Sequence, residues 1–223
     1  MAVIGLPRSG TTLVANVLHA CRNGFCLVEP HWEALSRGSQ ATATAKTGLV
    51  ALQPPGSIAC EVRRVMRERG FDFAAVKETF RRDETACVNG LLSDADAVLF
   101  VRRDPVATFA SWRRQGWGPR YDDIGSFERN FVDLRSLASR MARHRPTFMI
   151  SYERLCSDAA RHVDAAFAGY ASLEGTLAVE PMDVAVAMGD PRARASARLE
   201  PASPTDGGLC DDELQRLRRL RWD

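Results

Sequence analysis

The stretch that decides the fold is residues 2–12, which read Ala-Val-Ile-Gly-Leu-Pro-Arg-Ser-Gly-Thr-Thr. Its first four residues form a short apolar run that ends at a glycine and predicts a β-strand. From Thr11 to Ala20 the apolar residues recur at helical spacing, which predicts a helix. The chain therefore begins with a strand, a glycine-bounded loop and a helix.

The loop in this stretch has the spacing of a phosphate-binding loop. Gly5 and Gly10 match the two glycines of the pattern Gly-x-x-x-x-Gly-Lys-Ser/Thr. Glycines permit a tight turn, and the amides and dipole at the start of the following helix attract an anion. Thr11 stands where ATP- and GTP-hydrolysing enzymes place the lysine, and the loop carries its cation earlier, at Arg8. The loop predicts anion binding and argues against an ordinary NTPase or kinase.

Strand and helix patterns alternate along the rest of the chain. The alternation predicts a P-loop-type, three-layer αβα fold with a central parallel sheet of about five strands. In such sheets ligands bind where the strands end. The further predicted strands are 25–28, 73–77, 97–102 and 147–150, and the further predicted helices are 58–69, 84–92, 105–114, 127–144, 154–168 and 209–222. We expect a single domain over 1–223, with mobile loops at 36–57, 115–125 and 188–208.

The composition excludes several classes of protein. Hydrophobic residues make up 45% and charged residues 26%, as in a globular protein. A net charge of +2 argues against a chain that coats nucleic acid or an anionic membrane, and no apolar run approaches the ~20 residues that span a bilayer. Six scattered cysteines without a Cys-x-x-Cys pair predict reduced thiols in the cytoplasm and no metal site. The oligomeric state stays open.

Three segments together resemble sulfotransferases that use 3′-phosphoadenosine 5′-phosphosulfate (PAPS), above all bacterial ones. Pro-Arg-Ser-Gly-Thr-Thr after the first strand is similar to their 5′-phosphosulfate loop. Arg103 follows the fourth predicted strand, and Ser111 comes eight residues later, at the spacing of the pair that grips the 3′-phosphate in this family. Tyr152-Glu153 after the fifth predicted strand matches a pair whose tyrosine lies near the adenine. The resemblance covers residues 1 to about 160.

The resemblance implies a set of residues that bind PAPS or its product, adenosine 3′,5′-bisphosphate. They are Pro7, Arg8, Ser9, Gly10, Thr11, Thr12, Arg103, Ser111 and Tyr152. The Arg-Lys-Gly run that completes the 3′-phosphate site of cytosolic aryl sulfotransferases does not occur in this chain. Arg192, Arg194 and Arg198 are alternative substitutes for it.

The resemblance also implies catalytic residues for in-line sulfuryl transfer without a divalent metal. Lys77, at the end of the third predicted strand, is placed like the family's catalytic lysine, and Arg8 is the other candidate cation for the leaving phosphate. Glu29, after the second strand, resembles the glutamate base of tyrosylprotein and some bacterial carbohydrate sulfotransferases. His31 is the second candidate base and Glu78 the third.

The acceptor is less well defined by the sequence. A hydroxyl or amine of a small molecule, modified as a tailoring step in metabolite biosynthesis, is the preferred prediction, and a peptide tyrosine or a carbohydrate hydroxyl is the alternative. Five aromatic residues near the strand ends are candidates for the acceptor pocket or for core packing. They are Trp32, Phe80, Trp112, Trp117 and Tyr121.

Two other functions remain as alternatives. A small-molecule or nucleotide kinase shares this fold class, but it would carry the loop lysine and a magnesium-binding carboxylate. A non-catalytic nucleotide-binding module would use the basic segment 216–221 to bind a partner and would not depend on Lys77 or Glu29.

Overall fold

A computed structural model describes residues 1–30, 58–116, 123–157, 159–167, 170 and 208–222. Several predicted features lie outside these residues. They are His31, Trp32, Trp117, Tyr121, Arg192, Arg194 and Arg198, all of loop 36–57 and nearly all of loop 188–208.

Five parallel strands form the centre of the fold, in the order β2-β3-β1-β4-β5. The strands are β1 (Ala2–Gly5), β2 (Gly24–Val28), β3 (Phe73–Thr79), β4 (Val98–Arg102) and β5 (Thr147–Ser151). The helices are α1 (Thr11–Ala20), α2 (Ile58–Arg69), α3 (Thr85–Asp94), α4 (Pro105–Arg114), α5 (Ile124–Met141), α6 (Tyr152–Ser157), α7 (Ala159–Phe167) and α8 (Asp211–Arg218), with a 3₁₀ turn at Arg82–Glu84. The predicted α/β fold with a parallel sheet is confirmed.

Helices cover both faces of the sheet. Residues of α1, α6 and α7 pack with Val3 and Ala75 on one face. Residues of α2, α3, α4, α5 and α8 pack with Ile4 and Val76 on the other. Successive residues of a strand alternate between the two faces, so neighbours along β1 and β3 join different clusters. This alternation determines which strand side chains can meet on one face of the sheet.

Several element boundaries differ from the prediction, and hydrogen bonds or strand pairing accompany three of the differences. Helix α5 begins at Ile124 rather than at 127, because the Asp123 carboxylate accepts hydrogen bonds from the amides of Gly125 and Ser126. The predicted helix 154–168 is two helices, and the first begins directly after β5, where the Glu153 carboxylate accepts from the Asp104 amide. Strand β3 continues two residues beyond its predicted end, because it pairs with β1 as far as Thr79. Among the described helices, none has the length and apolar character needed to cross a membrane.

Candidate active site

The predicted site residues that the structure describes lie at one edge of the sheet, where the parallel strands end. The register sets Gly5 of β1 opposite Thr79 of β3 and Val101 of β4. The segments that follow β1, β2, β4 and β5 therefore leave the sheet side by side. They carry the phosphate loop, Glu29, Arg103 and Tyr152 respectively. This is the edge at which open α/β sheets bind ligands.

The loop over residues 6–10 is a tight turn that only small residues allow at its two ends. A Cβ atom on Gly5 would lie 2.9 Å from the Val101 carbonyl oxygen. Gly10 has a φ of +94° and precedes the first turn of α1, whose early amides have no acceptor within the helix. The Ser9 amide donates to the Leu6 carbonyl at 3.1 Å, and the Ser9 hydroxyl is buried without a hydrogen-bond partner among the described residues. An unpaired buried hydroxyl beside a helix N-terminus fits the oxygens of a phosphate or a sulfate.

We predict that Gly10→Ala will disable this loop. The new Cβ would meet the Tyr152 ring, whose Cδ2 atom is 2.2 Å from its position, and alanine disfavours a φ of +94°. The expected loss is about 2 kcal/mol in the free energy of unfolding, measured by urea denaturation. Gly90→Ala is the matched control, because Gly90 lies inside α3 with no atom within 4 Å of its Cβ position. If Gly90→Ala lowered the free energy of unfolding as much as Gly10→Ala does, the role assigned to Gly10 in the loop would be wrong.

Arg8, Arg103, Ser111 and Tyr152, four of the residues predicted to bind the donor, meet at the loop. The Arg8 Nε donates to the Ser111 hydroxyl at 3.1 Å. Arg103 donates to the Arg8 carbonyl oxygen at 2.9 Å, and its guanidinium lies 4.3 Å from the centre of the Tyr152 ring. The cation and the ring attract each other and so fix each other's position. The four residues form one contact network that joins the phosphate loop, the segment after β4, α4 and α6.

The charge around Arg8 is strongly positive. Removal of water from the Arg8 guanidinium lowers its pKa, and the positive charges of Arg103 and Arg114 lower it further. Positive charges gathered around this part of the loop favour the binding of an anion there. The sequence reasoning missed Arg114, although it lies three residues after Ser111 on α4, which is the spacing of neighbours on one helix face.

Lys77 and Glu29 form an ion pair. The Lys77 side chain is buried, with 2% of its surface exposed, while Glu29 is 18% exposed. The Glu29 amide donates to the Lys77 carbonyl at 2.7 Å and holds the glutamate at a φ of +49°, a left-handed conformation that a residue other than glycine rarely adopts. Non-glycine residues in such conformations cluster at functional sites. A carboxylate and an ammonium group next to each other can act as a base and as a charge stabiliser.

Lys77 lies on the same face of the sheet as α1. Burial raises the pKa of the Cys26 thiol to about 12, and the positive charge of Lys77 acts in the opposite direction. Cys26 packs in the cluster around α1, whose first turn adjoins the phosphate loop. The sequence predicted Lys77 as the last residue of this strand. In the structure β3 continues to Thr79, so Lys77 lies two residues before its end.

Glu78, the third candidate base, lies on the opposite face. It is 2% exposed and follows Lys77 directly in β3, so its side chain points toward α3. Burial raises the pKa of the Cys87 thiol on α3, and the negative charges of Glu78 and Glu84 raise it further. The sheet therefore separates Glu78 from the Glu29–Lys77 pair.

Two of the aromatic candidates for the acceptor pocket belong to the hydrophobic core. Phe80 is 4% exposed and Trp112 is 1% exposed, and both pack in the cluster of α4 and α5. The Trp112 indole N–H donates to the Pro7 carbonyl oxygen in the loop. Trp112 therefore contacts the site from inside the core.

A cavity of about 330 Å³ lies at the opposite edge of the sheet. Its walls come from α2 and α3 and from the first residues of β3, and it includes none of the predicted site residues. We place the candidate active site at the other edge, because the charges and the phosphate loop are there. Among the described residues, no group of three or more His, Cys, Asp or Glu side chains is arranged to hold a metal ion.

Comparison with known proteins agrees with the fold. No protein-family model matches the sequence, and a search of curated proteins gives no significant match. The sulfotransferase domain of the Synechococcus PCC 7002 olefin synthase aligns with a TM-score of 0.54 and 18% identity, over 98% of this chain and 93% of that domain. A sulfotransferase from Alicyclobacillus acidocaldarius aligns with a TM-score of 0.51 and 14% identity, over 89% of this chain and 93% of that one. The chain therefore has the fold of these sulfotransferases.

Proposed function

We propose that the chain is a sulfotransferase that moves a sulfuryl group from PAPS to a hydroxyl or an amine of a small-molecule acceptor, as a tailoring step in metabolite biosynthesis. The observation that carries the proposal is the contact network of Arg8, Arg103, Ser111 and Tyr152 beside a phosphate loop that lacks the NTPase lysine. The fold shared with sulfotransferases supports it.

The donor site has two anionic ends in this proposal. Ser9, Thr11 and Thr12 hold the 5′-phosphosulfate through the loop amides, the buried hydroxyl of Ser9 and the start of α1. Arg103 and Ser111 hold the 3′-phosphate. PAPS, when bound, supplies the activated sulfuryl group. The neighbouring Tyr152 ring, with the Arg103 guanidinium on it, offers a flat surface for the adenine.

The Glu29–Lys77 pair performs the proton and charge steps in this proposal. The Glu29 carboxylate accepts the proton of the acceptor group as that group attacks in line. The Lys77 ammonium, with Arg8, stabilises the negative charge that grows on the leaving phosphate. A compact ammonium suits a single bridging oxygen better than a planar guanidinium does.

Titration calorimetry with adenosine 3′,5′-bisphosphate and with 5′-AMP tests the donor site. We expect the bisphosphate to bind at least tenfold more tightly than 5′-AMP, since charged hydrogen bonds to the 3′-phosphate contribute roughly 1.5–3 kcal/mol. Arg103→Ala removes this preference, because it deletes the cation beside the loop. Arg143→Ala is the control. Arg143 is exposed in the segment between α5 and the start of β5, whereas the candidate site lies where the strands end.

Two results would contradict the proposed donor. One is equal affinity for the two nucleotides in the unmodified protein. The other is magnesium-dependent turnover of ATP without binding of the bisphosphate, which would favour the small-molecule or nucleotide kinase. Binding of the bisphosphate without transfer to any acceptor would favour the non-catalytic nucleotide-binding module.

A further inference from the structure

Two consecutive residues of α4 hold two consecutive residues of the phosphate loop. The Trp112 indole N–H donates to the Pro7 carbonyl oxygen. Ser111 accepts from the Arg8 Nε at 3.1 Å, and Arg103, just before α4, donates to the Arg8 carbonyl at 2.9 Å. These contacts join residues that are about a hundred positions apart in the sequence. They fix the successive carbonyl groups of Pro7 and Arg8.

The contact with Trp112 sets the orientation of one peptide plane. The peptide bond between Pro7 and Arg8 is trans and planar, so its N–H points in the direction opposite to its carbonyl. With the carbonyl directed at the indole, the Arg8 amide faces away from α4. Arg8 itself has a φ of +66°, a conformation that is unfavourable for arginine unless its surroundings hold it.

Trp112 is itself held rigidly. It is 1% exposed, and its ring meets Phe127 edge-on at a centroid distance of 5.1 Å and an angle of 87°. The ring centroid of Phe127 also lies 5.3 Å from that of Phe109, which is on the same helix as Trp112. Leaving a buried indole N–H or a buried carbonyl without a hydrogen-bond partner costs free energy. The hydrogen bond between Trp112 and Pro7 therefore opposes rearrangement of the loop.

We propose that Trp112 is a positioning residue for the phosphate loop, which its indole N–H holds ready to bind the 5′-phosphosulfate of the donor. The identity of the ligand rests on the proposed function, whereas the ordering of the loop does not. The chain offers a matched control in Trp222. Trp222 packs against Phe131 in the same aromatic group, with ring centroids 5.0 Å apart, and its buried indole N–H has no hydrogen-bond partner among the described residues.

The test compares Trp112→Phe with Trp222→Phe in the full chain. Hydrogen exchange of the segment 5–13 is measured without ligand, and the affinity for adenosine 3′,5′-bisphosphate is measured by calorimetry. In Trp112→Phe we expect exchange in this segment to rise about fivefold or more, and the affinity to fall about tenfold, the scale of one lost buried hydrogen bond. In Trp222→Phe we expect both quantities to stay within about twofold of the unmodified protein.

Each outcome decides the inference. Exchange of segment 5–13 that is the same in the two variants would overturn it, and so would unchanged affinity in Trp112→Phe. If the unmodified protein does not bind the bisphosphate, the proposed function fails, and the exchange measurement still decides the role of Trp112. If Trp112→Phe does not fold, benzothienylalanine at position 112 keeps the shape of the indole, replaces its N–H by sulfur and enters the same two measurements.

Discussion

Replacement of Lys77 by methionine is expected to lower the rate of sulfuryl transfer by roughly 10²–10³-fold, the cost of removing one group that stabilises charge in a transition state. Methionine has nearly the same length as lysine and no charge, so the buried position on β3 stays filled. The rate is measured as release of adenosine 3′,5′-bisphosphate from PAPS in the presence of a mixture of phenols, alcohols and amines.

The lysine content of the chain supplies a control for this prediction. Lys46 and Lys77 are the two lysines among 30 basic residues, and the sequence assigns no role to Lys46. Lys46→Met should keep the full rate, whereas Lys77→Arg should recover part of it, because a planar guanidinium meets the leaving oxygen less well. A rate for Lys77→Met within about threefold of the unmodified protein, far below the 10²–10³-fold loss expected for such a group, would show that Lys77 has no part in the transfer step.

Replacement of Glu29 by glutamine is expected to lower the same rate by about 10²–10⁴-fold, the contribution of a well-placed general base. Glutamine keeps the size of the side chain and a hydrogen bond to Lys77, but it does not accept the acceptor's proton at neutral pH. Because Glu29, which contacts Lys77, is proposed to accept a proton and not to hold the nucleotide, the affinity for adenosine 3′,5′-bisphosphate should not change. The measurement is therefore the rate together with this affinity.

Glu78 gives the matched control for Glu29. Glu29 forms an ion pair with Lys77, and Glu78 follows Lys77 in the sequence. The Glu78 side chain, however, points to the other face of the sheet. Glu78→Gln should leave the rate near that of the unmodified protein once folding has been checked by circular dichroism. Loss of activity in Glu78→Gln with activity kept in Glu29→Gln would exchange their roles. Activity kept in both variants and lost in His31→Asn would make His31 the base.

Local patterns in the sequence predicted most of the fold. Helix α4 was predicted with its observed bounds, because Asp104 caps it and Pro105 begins it, and both signals are local. The last two residues of β3 were missed, because Glu78 and Thr79 are polar residues typical of a loop, and their pairing with β1 makes them part of the strand. Pairing of distant strands overrides local composition, and one sequence does not reveal the register.

Residues that meet at the candidate site could be named from the sequence, and the contacts between them could not. The glycine spacing and the pair formed by Arg103 and Ser111 identified residues that the fold brings together. The bond from Trp112 to Pro7 and the approach of Arg114 to Arg8 were missed. Both depend on the distance and angle at which α4 crosses the end of β1, which packing of the core decides.

A crystal structure of the chain with adenosine 3′,5′-bisphosphate tests the central claim most directly. We expect the 5′-phosphate against residues 8–12, the 3′-phosphate in contact with Arg103 and Ser111, and the adenine beside Tyr152. A nucleotide bound elsewhere, such as in the cavity between α2 and α3, would contradict the assignment of the site, as would a 3′-phosphate that touches neither Arg103 nor Ser111.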